Sequence, residues 1–344
     1  MRSLHAKDPK RYAIEALCRL FGKSKQAYHK YDEDKALAKA ARVDFAIQFV
    51  HATREEDHGI GGQLLYVMYK KELGPTGDSL GRDVFYRILD EYGLKLRQKL
   101  RRTRTTDSTH GLPTYPNLVK DFIPNGPNKL WVSDITYIRI WLDEHTYVFC
   151  YLSLILDAYS EEIVGWSVGP DLSTKYPLEA LKMALKRLDG VPSEDIHLIH
   201  HSDRGVQYAS AEYVKILLEH NITISMTETG NPKDNPQAER INNTMKNELL
   251  KGLKFHSIAE VVAAITKAVN FYNNRRPHMS LGYMTPVEAV QCTGELDKRW
   301  YSYREAAIKR AKDEQNQESA VNPENCLPLL GQGSPSGLRP SVNP

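Results

Sequence analysis

Through about residue 120 the apolar positions recur three or four apart, the spacing of successive helices, and from about Lys129 they fall into continuous or alternating runs, the spacing of strands. The first part predicts short helices over Ala13–Phe21 and Lys25–Tyr31, separated by the turn Gly22-Lys23-Ser24, with Ser24 capping the second. A longer helix follows over Asp34–Arg54, then one over Gly61–Leu73 and the breaker Gly74-Pro75-Thr76-Gly77. Ser79 is the expected cap of a further helix, Leu80–Tyr92, whose apolar face carries Val84, Ile88 and Leu89 while Arg82 and Arg87 point away. A glycine turn between a short helix and a basic-aromatic one is the outline of a helix-turn-helix, and equally of a purely structural hairpin.

The second part predicts strands over Trp131–Ile140, Tyr147–Leu156 and Ile163–Val168. The middle one, YVFCYLSLIL, is apolar enough to be a central strand covered on both faces. Helix Thr174–Leu188, strand Asp195–His201, helix Ala211–His220 and strand Ile222–Met226 follow, and the chain then reads as helical from Pro236 to about Asn274. A three-stranded meander followed by alternating helix and strand defines an α/β fold with a sheet of mixed direction. The expected segments are a helix-turn-helix-like stretch at 1–33, a helical DNA-binding region at 34–105, a linker at 106–124, a catalytic core at 125–290, a C-terminal helix at 291–312 and a disordered, Pro-, Gly- and Ser-rich tail at 313–344.

Composition adds limits. The chain has 344 residues, 41% of them hydrophobic, and a formal net charge of +3, too small to identify a polyanionic partner. No run approaches the roughly 18 to 20 uncharged apolar residues of a membrane span, and the opening residues form no signal peptide, so no membrane partner and a cytoplasmic location are expected. Cys18, Cys150, Cys292 and Cys326 are too scattered for a disulfide framework or a zinc finger. The distribution of charge is more telling. The segment KLRQKLRRTR holds Lys95, Arg97, Lys99, Arg101, Arg102 and Arg104 and no acid, which suits a phosphate-contacting linker between two differently patterned regions.

Three acidic residues stand out. Asp134 interrupts the first strand, where a carboxylate loses hydration worth several kcal/mol unless a cation or donors replace it. Asp203 follows the strand ending in His201 and projects from its carboxyl end, a place where aspartate also serves as a turn former. Glu239 lies early in a helix for which Asn235 is the expected cap and Pro236 the first residue. That helix sorts into an apolar stripe of Ala238, Ile241, Met245 and Leu249 and a polar one of Glu239, Asn242, Asn243 and Lys246. Converging carboxylates repel one another, and Mg²⁺, for which Mn²⁺ is a substitute, supplies the counter-charge with oxygen ligands. Two such ions about 3.5 to 4 Å apart activate the attacking oxygen and stabilise the leaving one in phosphodiester chemistry.

The segments WVSDITYI, LDAYSEEIVGW, HHSDRGVQY, GNPKDNPQAERINNTMKNEL and FYNNRRPHMSLGYMTPVEA resemble, in order, the integrase core of DDE transposases. They are most similar to the second-frame product of bacterial insertion sequences that make their transposase from two overlapping frames. The resemblance covers about residues 125–290, and residues 10–105 more loosely. It implies a ribonuclease-H-like core, a five-stranded mixed sheet flanked by helices, behind an all-α helix-turn-helix region. It further implies that Asp134, Asp203 and Glu239 are catalytic metal ligands and that Lys246 contacts DNA. Arg240, Asn242, Asn243, Arg275, Arg276 and the basic linker are further DNA candidates. Arg275 and Arg276, with Tyr272 and His278, either contact phosphate or fix the turn after their helix. The implied reaction is cleavage at the ends of a mobile element and attack of the freed 3′-hydroxyl on another strand. The partners are terminal-inverted-repeat and target DNA, a second copy of the chain and the first-frame protein. Two departures stand beside this: Pro236 replaces a more usual alanine, and no upstream heptads are present. A non-cutting DNA-binding regulator and a nuclease of the same fold without strand transfer are the alternatives. His200 and His201 are expected to be structural or DNA-facing, and Lys298–Arg310 to meet DNA or a second subunit.

Overall fold

The computed structural model describes residues 1–76, 79–96, 112–228 and 235–321. Its helical part comprises α1 (Arg2–Lys7), α2 (Ile14–Leu20), α3 (Lys25–Lys30), α4 (Glu33–Glu56), α5 (Gly62–Leu73) and α6 (Arg82–Glu91). Ser24 caps α3 by accepting from the Ala27 N–H and Asp32 caps α4 from Lys35, each contributing about 1 kcal/mol. Ser79 does not cap α6: its hydroxyl accepts from Lys70, and Gly81 takes the cap position. Phe85, rather than Val84, shares the buried face of α6 with Ile88 and Leu89.

The strands are β1 (Leu130–Trp141), β2 (Tyr147–Asp157), β3 (Ile163–Gly169), β4 (Ile199–Ser202) and β5 (Thr223–Met226), ordered β3-β2-β1-β4-β5. The first three form an antiparallel meander, and β4 and β5 run parallel to β1. Around them lie α7 (Lys175–Leu185), α8 (Val206–Ala209), α9 (Ala211–Glu219), α10 (Pro236–Thr244), α11 (Ile258–Asn274), α12 (Pro286–Ala289) and α13 (Tyr303–Val321). This is the ribonuclease-H-like sheet, with an apolar layer on each side. On one side Ile155 and Val164 meet Leu178, Leu181, Tyr213 and Leu217 of α7 and α9. Gly165 permits that contact, because a Cβ there would lie 2.1 Å from the Ala180 carbonyl oxygen. On the other side Val132, Leu152 and Leu154 pack with Ile241 and Met245 of the α10 segment and with Val261 and Ile265 of α11. Val50, Leu65 and Phe85 of α4 to α6 join the same cluster, so these helices share a core with the sheet.

Four expectations are revised. Strand β4 begins at Ile199, because Ser193–Asp195 forms a 3-10 turn. The helix from Pro236 is not continuous: after Thr244 it widens into a π turn, Met245–Leu249, and α11 starts anew at Ile258. The C-terminal helix spans Tyr303–Val321 instead of 291–312. Finally, β2 is not covered throughout: its pairing with β3 starts at Tyr151, so Tyr147, Val148 and Phe149 extend past the neighbouring strand and are exposed. Arg97, Lys99, Arg101, Arg102, Arg104 and the tail from 322 lie outside the described residues.

Candidate active site

Strand register brings two of the three acids together. Leu130 pairs with Ile199, Trp131 with His200 and Val132 with His201. The same offset carried two steps further, just past the end of β4, brings Asp203 toward Asp134, near enough for its charge to act on the Asp134 carboxyl. Asp203 accepts from the Gly205 N–H at 2.9 Å, the side-chain turn that directs the chain into α8. Asp134 accepts from the Ile135 N–H at 2.9 Å and from the Asn242 amide at 2.7 Å. Its surface is only half-buried, yet the carboxyl lies in dense protein. Burial, then the charge of Asp203, and more weakly that of Glu239, push its pKa up to about 7 against the pull of those two donors.

Helix α10 is pinned across the ends of β1 and β2. Asn235 donates to the Ser133 carbonyl at 3.1 Å and Gln237 to the Ala158 carbonyl at 2.9 Å. Asn235 is therefore not the side-chain cap expected of it, although Pro236 does open the helix. Glu239, in the first turn, is exposed, and partial desolvation shifts its carboxyl upward. Asn242, one turn later on the same face, reaches Asp134. Among the described residues no three acidic, His or Cys side chains stand close enough to hold one metal ion together. The Asp134–Asp203 pair nevertheless suits a hard divalent cation, since its donors are carboxylate oxygens whose mutual repulsion such an ion relieves. Glu239 stands beside the pair rather than within it.

The other expected DNA contacts divide. Lys246 is half-buried, its ammonium 4.4 Å from the centre of the Tyr137 ring. Asn243 is exposed and accepts from Asn247. Lys95 pairs with Asp90 at 2.8 Å, and Arg275 pairs with Glu56. Three placements correct the sequence-based reading. Asn242 is buried at 6% exposure and braces Asp134 instead of facing solvent. Arg276 is buried and makes a two-pronged pair with Glu248, at 2.7 and 3.1 Å, with Asp57 3.8 Å away, so it fixes the turn after α11. Arg240 lies on the far side of α10, over the Trp300 ring and 3.8 Å from Glu161, where it lines a cavity of about 370 Å³. His200 and His201 are both buried, bonded to Tyr213 and Ser225; burial holds the His200 imidazole down at about 3, so it stays neutral. Two features were missed: the brace from Asn242, and the acid pair Asp57–Glu248. The first had a faint signal in its spacing from Glu239, and the second had none.

The sheet has the strand order β3-β2-β1-β4-β5 expected of an integrase core, with Asp134 on its central strand. Two stretches, 124–232 and 220–286, match the family described as integrase core domain. The chain is 33% identical over 278 residues to the insertion element IS600 uncharacterized 31 kDa protein of Shigella sonnei, covering 78% of this chain and 96% of that one. It is 30% identical over 296 residues to the transposase for insertion sequence element IS629 of Shigella sonnei, covering 84% and 95%. A solved structure of the HTLV-2 integrase catalytic core domain in complex with magnesium is 20% identical, with a TM-score of 0.38, and spans 49% of this chain and 100% of that one. The chain belongs to the insertion-sequence transposases that carry an integrase core. Transposition is its activity and DNA strand transfer its chemistry. None of the described helices is long and apolar enough to cross a membrane.

Proposed function

We propose that Asp134, Asp203 and Glu239 are the catalytic carboxylates of this transposase, acting on element ends and then on target DNA. The observation that carries this reading is the pairing of Asp134 with Asp203 at the sheet centre, where the charged neighbours raising the Asp134 carboxyl are both acids. Bound Mg²⁺ or Mn²⁺, as two ions, would activate the attacking oxygen and neutralise the leaving one. Asp134 and Asp203 would hold such an ion through their carboxylate oxygens, and Asn242 fixes which way the Asp134 carboxylate points. Glu239 completes the donor set from α10. Lys246 leaves the same segment toward Tyr137 and steadies the DNA strand.

Incubation with end-labelled element DNA and Mg²⁺ tests this directly. Asp203→Asn is expected to lose cleavage and joining by about a thousand-fold while end binding persists. Near-normal turnover by that variant would reject the assignment. Lys246→Ala should slow joining, whereas Lys246→Arg should retain much of it because the positive charge survives. Equal joining rates for Lys246→Ala and the unaltered chain would leave the lysine without a DNA role.

A further inference from the structure

The outer half of the β1–β2 hairpin has one face made almost wholly of rings and cations. Tyr137 pairs across the strands with Tyr151, Arg139 with Phe149, and Trp141 with Tyr147. Successive rings meet edge to face, Tyr137 to Phe149 at 4.9 Å, Phe149 to Tyr147 at 5.4 Å and Tyr147 to Trp141 at 5.3 Å. Tyr147 is 41% exposed and Phe149 38%, so a costly apolar surface is kept in water. Three cations lie over these rings: Lys246 on Tyr137 at 4.4 Å, Arg139 on Tyr147 at 4.7 Å and Lys254 on Trp141 at 5.5 Å. Among the described residues none of the three is paired with an acid. Asp143, at the hairpin tip, is occupied by the turn, where it accepts from the His145 and Thr146 N–H groups.

We infer that this face is a stacking platform for unpaired nucleotides of the DNA strand leaving the active site. The chemistry matches on both counts: ring faces stack on bases of any sequence, and cations held by rings keep their N–H donors for phosphate. The surface is positive, the partner negative, and the row begins at Tyr137, which Lys246 of the Met245–Leu249 turn covers. From Tyr137 to Trp141 the strand covers about 13 Å, the span of about four nucleotides at 3.4 Å each. The direction away from the site rests on the proposed role of Lys246 beside the acids; the platform itself rests on the hairpin alone.

Its test is an equilibrium measurement in EDTA, so that loss of cleavage cannot imitate loss of the platform. The full chain and the double variant Trp141→Ala/Tyr147→Ala are titrated against a labelled twelve-nucleotide oligo-dT and against an abasic strand of equal length. The variant should bind oligo-dT about ten-fold more weakly and the abasic strand almost unchanged. Arg139→Gln/Lys254→Gln, which leaves the rings in place, should weaken both strands alike and flatten the salt dependence. Unchanged oligo-dT affinity in a Trp141→Ala/Tyr147→Ala protein of normal melting temperature would overturn the inference. So would a loss of self-association on sedimentation with no change in DNA affinity, since the face would then serve a second copy of the chain.

Discussion

Two aspartates, Asp57 buried and Asp134 half-buried, sit against the same stretch of chain, Pro236–Leu249, and are treated in opposite ways. Asp57, the C-cap of α4, is fully buried; burial, then the Glu248 charge and hydrogen bond, push its carboxyl up to about 8. Arg276 opposes that shift and grips Glu248 with two hydrogen bonds, so this acid pair carries its own cation. Asp134 is raised to about 7 by burial and Asp203, yet what reaches it is a neutral amide and a backbone N–H. Among the described residues no Lys or Arg forms an ion pair with it. An acid pair with a built-in arginine is a structural joint. A carboxylate braced by an amide and a backbone N–H, as Asp134 is, holds its geometry while leaving its charge to be balanced from outside.

The largest expected effect separates the two sites by stability. Arg276→Met strands two acids in the interior and should cost about 3 to 5 kcal/mol in urea unfolding. Asp134→Asn, by contrast, removes a repelled charge and should leave the melting temperature unchanged or higher while cleavage disappears. A loss below about 1 kcal/mol for Arg276→Met would mean that the joint is not what holds α4 to the core. Next in size, Asn242→Ala should reduce cleavage about 10- to 100-fold, as loss of a group orienting a ligand does. The deficit should shrink as Mg²⁺ is raised; a deficit indifferent to Mg²⁺ would place Asn242 elsewhere in the mechanism. The remaining effect is a pH dependence. Folded Asp57 keeps a proton that the unfolded chain releases near pH 4, so its contribution is full below about pH 4 and is lost as pH rises toward 8. Asp57→Asn should flatten that fall, making the variant relatively more stable at pH 9 than at pH 5. Parallel stability curves would show that Asp57 titrates normally.

Strand periodicity located β1, β2 and β3 to within a residue or two, and register then carried Asp134 to Asp203, because sheet pairing is a short, regular relation. The acids were legible for the same reason: a carboxylate inside an apolar strand is conspicuous. Asn242 was misplaced because a helical wheel separates polar from apolar but not buried polar from exposed polar. Here α10 packs against a site that itself needs a donor. Arg276 was ambiguous because its partners, Asp57 and Glu248, lie far away along the chain and no local pattern announces them. The wheel's apolar stripe holds even into the π turn, where Met245 and Leu249 are buried as expected.

That turn is also where the α4–α5 connection makes its closest approach. A Cβ on Gly59 would fall 2.4 Å from the Glu248 Cα, and His58 bonds the Leu249 carbonyl at 3.2 Å. Five residues thus serve two masters, Lys246 toward the site and Glu248 toward the joint. For anyone grafting the helical region of one relative onto the core of another, the natural cut between residues 96 and 112 is the wrong unit of exchange. Residues 57–60 and 245–249 form a lock and its key, and a graft that takes one without the other inherits a mismatched fit.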